Sequence, residues 1–235
     1  MANFLDNKTI ILVNSDKNNS GDLINEYANF NCKIHHATTS HIKYQNKNYF
    51  NYFYKDFTSL SQNFSNDLKI KEIDILIFFI KDNNFVKQSK KSIHNTFVYQ
   101  EQIINLSNLL IQKLKKNNYS KFFFILFPLS FFVNLKKNLH LYEMINSSSI
   151  GYTMSIAKTL GKYKILSNSI LPGFFSTDLK NTYKKNEINN LKKKIPLNRY
   201  SNLDDLSSTI LFFSSDYNTY FTGQTINVDG GFNSI

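Results

Sequence analysis

The sequence predicts a doubly wound α/β fold, in which helices cover both faces of a parallel sheet. Short, almost wholly apolar runs such as Thr9–Val13 and Ile73–Ile80 are typical of strands that are buried on both faces. Segments with helical periodicity alternate with these runs, and this alternation indicates parallel strands joined by crossover helices. Ligands of such sheets bind beyond the carboxyl ends of the strands.

The predicted elements follow one another without an internal repeat or a linker, so we expect one domain over residues 1–235. Gly161 follows a predicted helix and indicates a left-handed cap. Pro172-Gly173 ends the strand before it. In order, we predict a strand at Thr9–Val13, a polar turn at Asn14–Gly21, a helix at Leu23–Phe30, strands at Cys32–Ala37 and Ile73–Ile80, a helix at Ile103–Leu114, a strand at Lys121–Phe127, a helix at Ile150–Leu160, a strand at Tyr163–Leu171, a helix at Leu203–Ser214 and a strand at Thr225–Val228.

Composition excludes several classes of protein. Hydrophobic residues make up 42% of the chain, which favours a globular over a disordered protein. The net charge of +11 is scattered in short runs such as 192–194, which favours solvated helix faces, so we predict neither nucleic acid nor membrane as a partner. Cys32 is the one cysteine, no secretory signal pattern is visible, and the apolar stretch Phe122–Phe132 is too short to span a bilayer, so we expect a cytoplasmic protein. Adjacent His35 and His36 point to opposite faces of a strand, so we predict no metal site.

The last third of the chain resembles the short-chain dehydrogenase/reductase family, and within it most resembles 3-oxoacyl-(acyl-carrier-protein) reductases of fatty-acid synthesis. The resemblance extends over the whole chain, and it implies a Rossmann-like sheet, a nicotinamide cofactor and oligomeric, commonly tetrameric, assembly. The segments that carry it are SIAKTLGKYKILSNSILPGFFSTDL, IPLNRYSNLDDLSSTILFFSSDYNTYFTGQTINVDGGF and, towards the N-terminus, KTIILV, KIHHATTS and EIDILI.

The resemblance also implies four catalytic positions. In that family a tyrosine supplies the proton, a lysine four residues later lowers the pKa of the phenol, a serine orients the carbonyl and an asparagine anchors a water relay. Tyr142 stands at the tyrosine position and Asn146 at the lysine position. The serine position falls near Phe127, with Ser130 close by, and the asparagine position falls at Tyr99. No cation therefore stands at the lysine position. Enoyl reductases have their lysine six residues after the tyrosine, and that position is occupied here by Ser148.

The cofactor positions implied by the resemblance are altered as well. The family's glycine-rich loop corresponds to residues 14–21, and Gly21 is the one glycine that remains there. Asp16 opposes phosphate binding, and the aromatic pair Phe78-Phe79 could fill the cleft. The second strand ends without an acidic residue, which favours NADP(H) over NAD(H), with loss of binding as the alternative. The candidate cofactor residues are Asn14, Ser15, Asn19, Gly21, Thr39, Asp56, Pro172, Gly173, Phe175 and Thr177.

We weigh three functional hypotheses. The first is a weakly active or inactive reductase subunit, a pseudoenzyme that assembles with itself or with an intact relative. The second is an active NADPH-dependent reductase whose substrates are 3-oxoacyl thioesters of acyl-carrier protein. In this hypothesis Lys136, Lys137 or Lys158 supplies the positive charge that lowers the pKa of Tyr142. The third, a nucleic-acid or membrane binder, rests on net charge alone.

Overall fold

The computed structural model describes residues 4–13, 17–41, 44, 46–80, 91–116, 118–126, 139–175 and 185–234. Within these ranges seven parallel strands form one sheet: β1 (Thr9–Val13), β2 (Lys33–Thr38), β3 (Tyr49–Phe53), β4 (Ile75–Ile80), β5 (Lys121–Leu126), β6 (Leu166–Pro172) and β7 (Thr225–Val228). The helices are α1 (Lys17–Ala28), α2 (Phe57–Asp67), α3 (Lys91–Ile111), α4 (Leu139–Leu160), α5 (Lys185–Lys193) and α6 (Leu203–Ser214).

The strand order is β3-β2-β1-β4-β5-β6-β7, and every pairing is parallel. Helices α2, α3 and α4 pack next to one another on one face, while α1 packs beside α6 on the other. The direction of winding reverses between β1 and β4, and a crevice opens at such a point. The predicted doubly wound, Rossmann-like fold is therefore confirmed.

The core is built around the two central strands β4 and β5, in which every residue is buried. Their register pairs Phe78 with Phe124, and the ring of Phe78 also contacts that of Phe122. Tyr152 of α4 lies over Phe122 and Phe124. Phe78 therefore packs under the helical layer, which corrects our expectation that it could fill the cofactor crevice.

Three predicted elements have different bounds in the structure. Helix α1 begins at Lys17, so the second half of the expected polar turn is helical. Helix α4 begins at Leu139 instead of Ile150, because buried polar residues such as Asn146 and Ser149 interrupt the apolar stripe of its first turns. Gly161 does not take the left-handed cap; it opens a 3-10 turn, and Lys164 has the positive φ of 54°.

Other boundaries agree more closely with the sequence. The predicted bounds of β1, α6 and β7 are confirmed, and those of β2 shift by one residue. Helix α3 begins twelve residues before the predicted Ile103. Strand β6 begins three residues after the predicted Tyr163. Strand β3 and helices α2 and α5 were not predicted, because tyrosines, asparagines and lysines blur their periodicity.

Buried polar residues connect the layers. The Asp74 carboxylate accepts a hydrogen bond from the backbone N–H of Thr9 at 2.8 Å and forms a salt bridge with Lys115 at 2.9 Å. The hydroxyl groups of Tyr27 in α1 and Ser214 in α6 are 2.6 Å apart, which joins two helices on one face of the sheet. These contacts fix the amino-terminal edge of the sheet, opposite the edge where ligands of this fold bind.

His35 and His36 contact different partners on the neighbouring strand, as expected for adjacent residues on opposite faces. The Nδ1 atom of His35 lies 3.1 Å from the Tyr52 hydroxyl, and that of His36 lies 2.8 Å from the Tyr49 hydroxyl. Burial, assisted by the charge of Lys33, lowers the pKa of His35 from 6.5 to about 4. His35 is therefore neutral in the folded protein over most of the acid range.

This lowered pKa predicts a loss of stability in acid. Between about pH 6.5 and about pH 4 the unfolded chain binds a proton at His35 that the folded chain does not bind, so the free energy of unfolding falls as the pH falls. We expect His35→Gln to lose less stability than the wild type when urea denaturation is compared at pH 7 and pH 4.5. His41→Gln, at an exposed histidine, is the control, and an equal acid response of H35Q and the wild type would refute the prediction.

Candidate functional site

The candidate site lies at the carboxyl edge of the sheet. Helices α3 and α4 follow β4 and β5 and run back antiparallel to the strands, so their first turns lie at this edge. The end of β2 and the residues after β6 lie at the same edge. The fold thus brings together most of the regions that the sequence selected.

Helix α4 carries Tyr142 and Asn146 in its first two turns, four residues apart and on one face. The side chain of Tyr142 and the whole of Ser130 lie outside the described part of the structure. Asn146 is only 2% exposed, and neither its Nδ2 nor its Oδ1 has a hydrogen-bond partner among the described residues. A buried amide without partners costs about 1–3 kcal/mol per unsatisfied group, which makes this position unusual.

Helix α3 contributes Gln100, a residue that the sequence did not single out, whereas the neighbouring candidate Tyr99 faces away from α4. The ring of Tyr99 packs against Phe57 of α2, with their centroids 4.7 Å apart, so Tyr99 contacts the helix on the far side from α4. The next residue, Gln100, faces α4: its Nε2 lies 3.5 Å from the Ser149 hydroxyl, while its Oε1 has no partner among the described residues. Ser149 and Asn146 share a face of α4, so two buried, incompletely bonded amides lie along one helix interface. Their burial pattern, visible only in the folded chain, is the signal that identifies Gln100.

No described lysine reaches the start of α4 from its own helix. Lys158 is sixteen residues beyond Tyr142 on α4, which corresponds to roughly 24 Å along the axis. Lys158 is also exposed. This distance corrects our expectation that Lys158 could serve the phenol, whereas Lys136 and Lys137 lie outside the described residues.

The segment at the glycine-rich position is mostly helical. Asn14 and Ser15 lie outside the described residues, and Asn19 and Gly21 lie within the first two turns of α1. The first backbone N–H groups of a helix have no partners within it and can meet a phosphate. The roles of these four residues remain predictions.

The adenosine end of the predicted site is polar and carries no carboxylate at the end of β2. The Thr38 hydroxyl accepts a hydrogen bond from the backbone N–H of Ser40 at 3.0 Å, which turns the chain at half-buried Thr39. Asp56 is exposed and caps α2, since its side chain accepts a hydrogen bond from the Ser59 N–H at 2.8 Å. Hydrogen bonds from Ser59 lower the pKa of Asp56. Capping of α2 is by itself a sufficient reason for an aspartate at position 56, whether or not a cofactor binds. The contact of Asp56 with adenine remains a prediction.

The segment after β6 is held against β7. Pro172 is the last residue of β6, and the backbone N–H of Gly173 donates to the Val228 carbonyl at 2.7 Å. A Cβ atom at Gly173 would lie 2.8 Å from the Cα of Asp229, so no larger residue fits without backbone movement. Phe175 is buried and bridges to Ser201, whereas Thr177 lies outside the described residues.

A cleft of about 450 Å³ opens beside this segment, beyond the carboxyl ends of β6 and β7. Arg199 and Asp205 in its wall form a two-pronged salt bridge at 2.6 and 2.7 Å, which lowers the pKa of Asp205. The Asp229 carboxylate accepts hydrogen bonds from the backbone N–H groups of Gly231 and Asn233. Of the candidate catalytic residues whose side chains the structure describes, neither Tyr99 nor Asn146 forms part of this wall.

Two properties of the described residues limit other kinds of site. They contain no cluster of three or more histidine, cysteine, aspartate or glutamate side chains placed to bind a metal. None of their helices combines the length and the apolar character needed to cross a membrane.

Comparison with known families assigns this architecture. A family model described as Enoyl-(Acyl carrier protein) reductase matches residues 102–233, more than half of the 235-residue chain. The chain belongs to the short-chain dehydrogenase/reductase family. The expected resemblance to 3-oxoacyl-(acyl-carrier-protein) reductases is confirmed by relatives of that name.

Individual short-chain dehydrogenase/reductase relatives are distant. The chain is 28% identical to the 3-oxoacyl-(acyl-carrier-protein) reductase of Buchnera aphidicola over 196 residues, which covers 80% of each protein. Its match to the reductase of Aquifex aeolicus is 33% identical but covers 38% of this chain and 36% of that protein. Among solved structures, a short-chain dehydrogenase from Leptospira borgpetersenii with bound NAD+ superimposes with a TM-score of 0.76 at 20% identity, over 97% of this chain and 93% of that one.

The close approach of β6 and β7 places a packing requirement on Gly173. We expect Gly173→Ala to lower the free energy of unfolding by about 1–3 kcal/mol, because its Cβ would overlap the backbone of Asp229. Gly151→Ala is the matched control: that glycine lies inside α4, and a Cβ atom added there would meet nothing within 4 Å, so alanine should stabilise the protein by up to about 1 kcal/mol. Urea denaturation measures both, and a neutral G173A would show that the segment after β6 is not tightly packed.

Proposed function

We propose that this protein is a divergent 3-oxoacyl thioester reductase subunit with little or no turnover of its own. Buried Asn146 at the position of the catalytic lysine is the observation that carries the proposal. The related reductases in Buchnera and Aquifex support the substrate class, a 3-oxoacyl group on acyl-carrier protein, and a place in fatty-acid synthesis. The free, buried thiol of Cys32 is consistent with the cytoplasm.

The chemistry explains why this one residue matters. The nicotinamide supplies hydride to the ketone carbon, and the protein must supply a proton to the oxygen. A tyrosine has an ordinary pKa of about 10, so it exchanges a proton near neutral pH only beside a positive charge. The amide of Asn146 is uncharged, and Lys158 is too distant to replace the cation. Neither Asn146 nor Lys158 of helix α4 therefore supplies the positive charge that this chemistry requires.

We propose that the nicotinamide nucleotide, where bound, is NADP(H) rather than NAD(H). The end of β2 presents Thr38, Thr39 and Ser40, and no carboxylate there can pair with a free ribose hydroxyl or repel a 2′-phosphate. The amides of Asn146 and Gln100, which lack some hydrogen-bond partners among the described residues, fit a polar ligand or water at the crevice. The bound NAD+ of the Leptospira relative supports a nicotinamide nucleotide in general.

We also propose that the protein works as an oligomer, in which β7 and α6 meet a second subunit of the same family. The rings of Phe212, Phe213 and Phe221 contact one another, and Phe212 and Phe221 remain about half exposed. Tyr220 beside them is 93% exposed. Contiguous exposed aromatic surface of this kind is typical of protein interfaces.

The proposal predicts a gain of activity when the cation is restored. We expect Asn146→Lys to raise NADPH-dependent reduction of acetoacetyl-coenzyme A by about 10- to 100-fold, because proton transfer by a positioned acid contributes on that order or more. Absorbance of NADPH gives the rate. Asn146→Met is the control of similar length without charge and should show no gain. In the N146K background, Tyr142→Phe should remove the gain.

A wild-type protein that already turns over as fast as N146K, and loses that rate in Tyr142→Phe, would contradict the proposal. Because N146K introduces a buried charge, its folding is checked by circular dichroism and by the cooperativity of its thermal unfolding. A folded N146K that remains inactive would show that the remaining crevice, and not the missing cation alone, prevents catalysis.

Nucleotide binding is measured independently of turnover. We expect NADPH to raise the Tm of the wild-type protein more than NADH at equal concentration, since a ligand at a hundredfold excess over its Kd stabilises the native state by about 2.7 kcal/mol. Asn146→Leu should raise the Tm of the free protein by removing an unsatisfied buried amide, yet reduce the shift caused by NADPH. A larger shift with NADH, or none with either nucleotide, would refute the assigned preference.

Assembly is tested at the exposed aromatic surface. We expect the double variant Phe212→Asp with Tyr220→Asp to sediment as a smaller species than the wild type, because buried carboxylates without partners oppose association. Phe50→Asp, at an exposed phenylalanine on the opposite edge strand, is the control. A wild type that sediments as a monomer at micromolar concentration would refute the proposed homo-oligomer and leave a hetero-oligomer to be tested by co-purification with an intact family member.

A further inference from the structure

The β3 side of the sheet carries a basic, aromatic edge that the reductase fold does not require. We call it the aromatic edge and define it as β2, β3 and the lysines beside them, Lys33, Lys47 and Lys55. Among the described residues, β3 pairs with β2 alone, so β3 is an edge strand of the sheet. Edge strands are usually shielded in natural proteins.

Charge is strongly one-sided along this part of the chain. Residues 27–55 contain four lysines and three histidines and not one aspartate or glutamate. Lys33, Lys47 and Lys55 are exposed, and no ion pair involves Lys33 or Lys47 within the described part of the chain. The acidic residues that flank this range are Glu26 and Asp56, and the Asp67 carboxylate of α2 accepts a hydrogen bond from the Tyr54 hydroxyl. Within residues 27–55 the aromatic edge is basic, although the sequence as a whole shows scattered charge.

Two phenylalanines on the edge are exposed but held in place. Phe50 and Phe53 are each 43% exposed. The ring of Phe50 stacks on His35 with centroids 4.6 Å apart and an angle of 12°, and that of Phe53 stacks on His41 at 3.9 Å and 21°. Being three residues apart on a strand, the two rings lie on opposite faces and flank the edge about 10 Å apart.

We propose that the aromatic edge binds single-stranded nucleic acid, in contrast to the prediction, drawn from the scattered charge of the whole sequence, that nucleic acid is not a partner. Exposed rings fixed by stacking provide flat surfaces for bases, and lysines at both ends of β3 provide charge for phosphates. Every nucleic-acid base can stack on an aromatic ring, so binding at these rings would show little sequence preference. The absence of exposed large aliphatic side chains on the described part of this edge argues against a lipid surface. This activity is additional to the proposed reductase lineage and independent of the nucleotide crevice.

The test is fluorescence anisotropy with a labelled oligo(dT) of about 16 nucleotides and the full-length protein. We expect the double variant Phe50→Ala with Phe53→Ala to bind at least tenfold more weakly than the wild type. Phe97→Ala, at a 57% exposed phenylalanine on α3, is the matched control and should bind as the wild type does. Unchanged thermal unfolding of the double variant confirms that the edge strand still folds.

The charge component is tested without altering β3 itself. We expect Lys47→Gln with Lys55→Gln to reduce the dependence of log K on log salt by about 1.4, roughly 0.7 for each lost phosphate contact. Lys192→Gln with Lys193→Gln on α5 is the control with the same change of net charge, and it should leave the slope unchanged. Equal effects of the two lysine pairs would show non-specific attraction and overturn the proposed site.

Three further results would overturn the proposal. The first is no binding by the wild type at low salt. The second is full competition by NADPH, which would assign the signal to the reductase crevice. The third is binding of phosphatidylglycerol vesicles, lost in the Phe50→Ala, Phe53→Ala variant, with no binding of the oligonucleotide, which would assign the edge to a membrane surface.

Discussion

Burial of the central strands on both faces is the constraint on which the rest of this structure depends. Because every residue of β4 and β5 is shielded, helices must cover the sheet above and below, and polar chemistry is confined to the strand ends. Lys121 shows how strict the constraint is. Its ammonium group is buried at the start of β5 and donates to the carbonyl of Asn218, and burial lowers its pKa to about 8.

Packing constrains the residues at the carboxyl edge of the sheet unequally. Gly173 is required because a side chain there would overlap the backbone after β7, whatever the protein catalyses. Asn146, by contrast, is buried and uncharged, so the chain folds without a cation at this position. Under the proposed function, the short-chain dehydrogenase/reductase scaffold is retained while Tyr142 lacks a neighbouring positive charge.

Among the described residues, the buried amides of Asn146 and Gln100 lack some hydrogen-bond partners, and they are the proposed contacts for a polar ligand at the crevice. Asn146 and Gln100 are buried in a helix interface where apolar side chains would be more stable. A polar molecule that hydrogen-bonds to these amides would remove the free-energy cost of burying them. Binding of such a ligand would therefore raise the stability of the folded protein. The aromatic edge at the other side of the sheet is different, because its exposed rings and lysines meet solvent directly. The two regions are thus physically independent.

The sequence by itself determined the fold, because buried parallel strands leave a local signal: apolar β-branched runs such as Thr9–Val13 are visible without tertiary context. It also determined that Asn146 stands four residues after Tyr142, since spacing along a helix is a local property. The tertiary structure alone decided that Gln100, and not Tyr99, faces α4, because burial depends on which helices become neighbours. It likewise decided that Lys158 is too far from Tyr142, and that β3 lies at an edge of the sheet, because strand order is set by long-range pairing that no local pattern records.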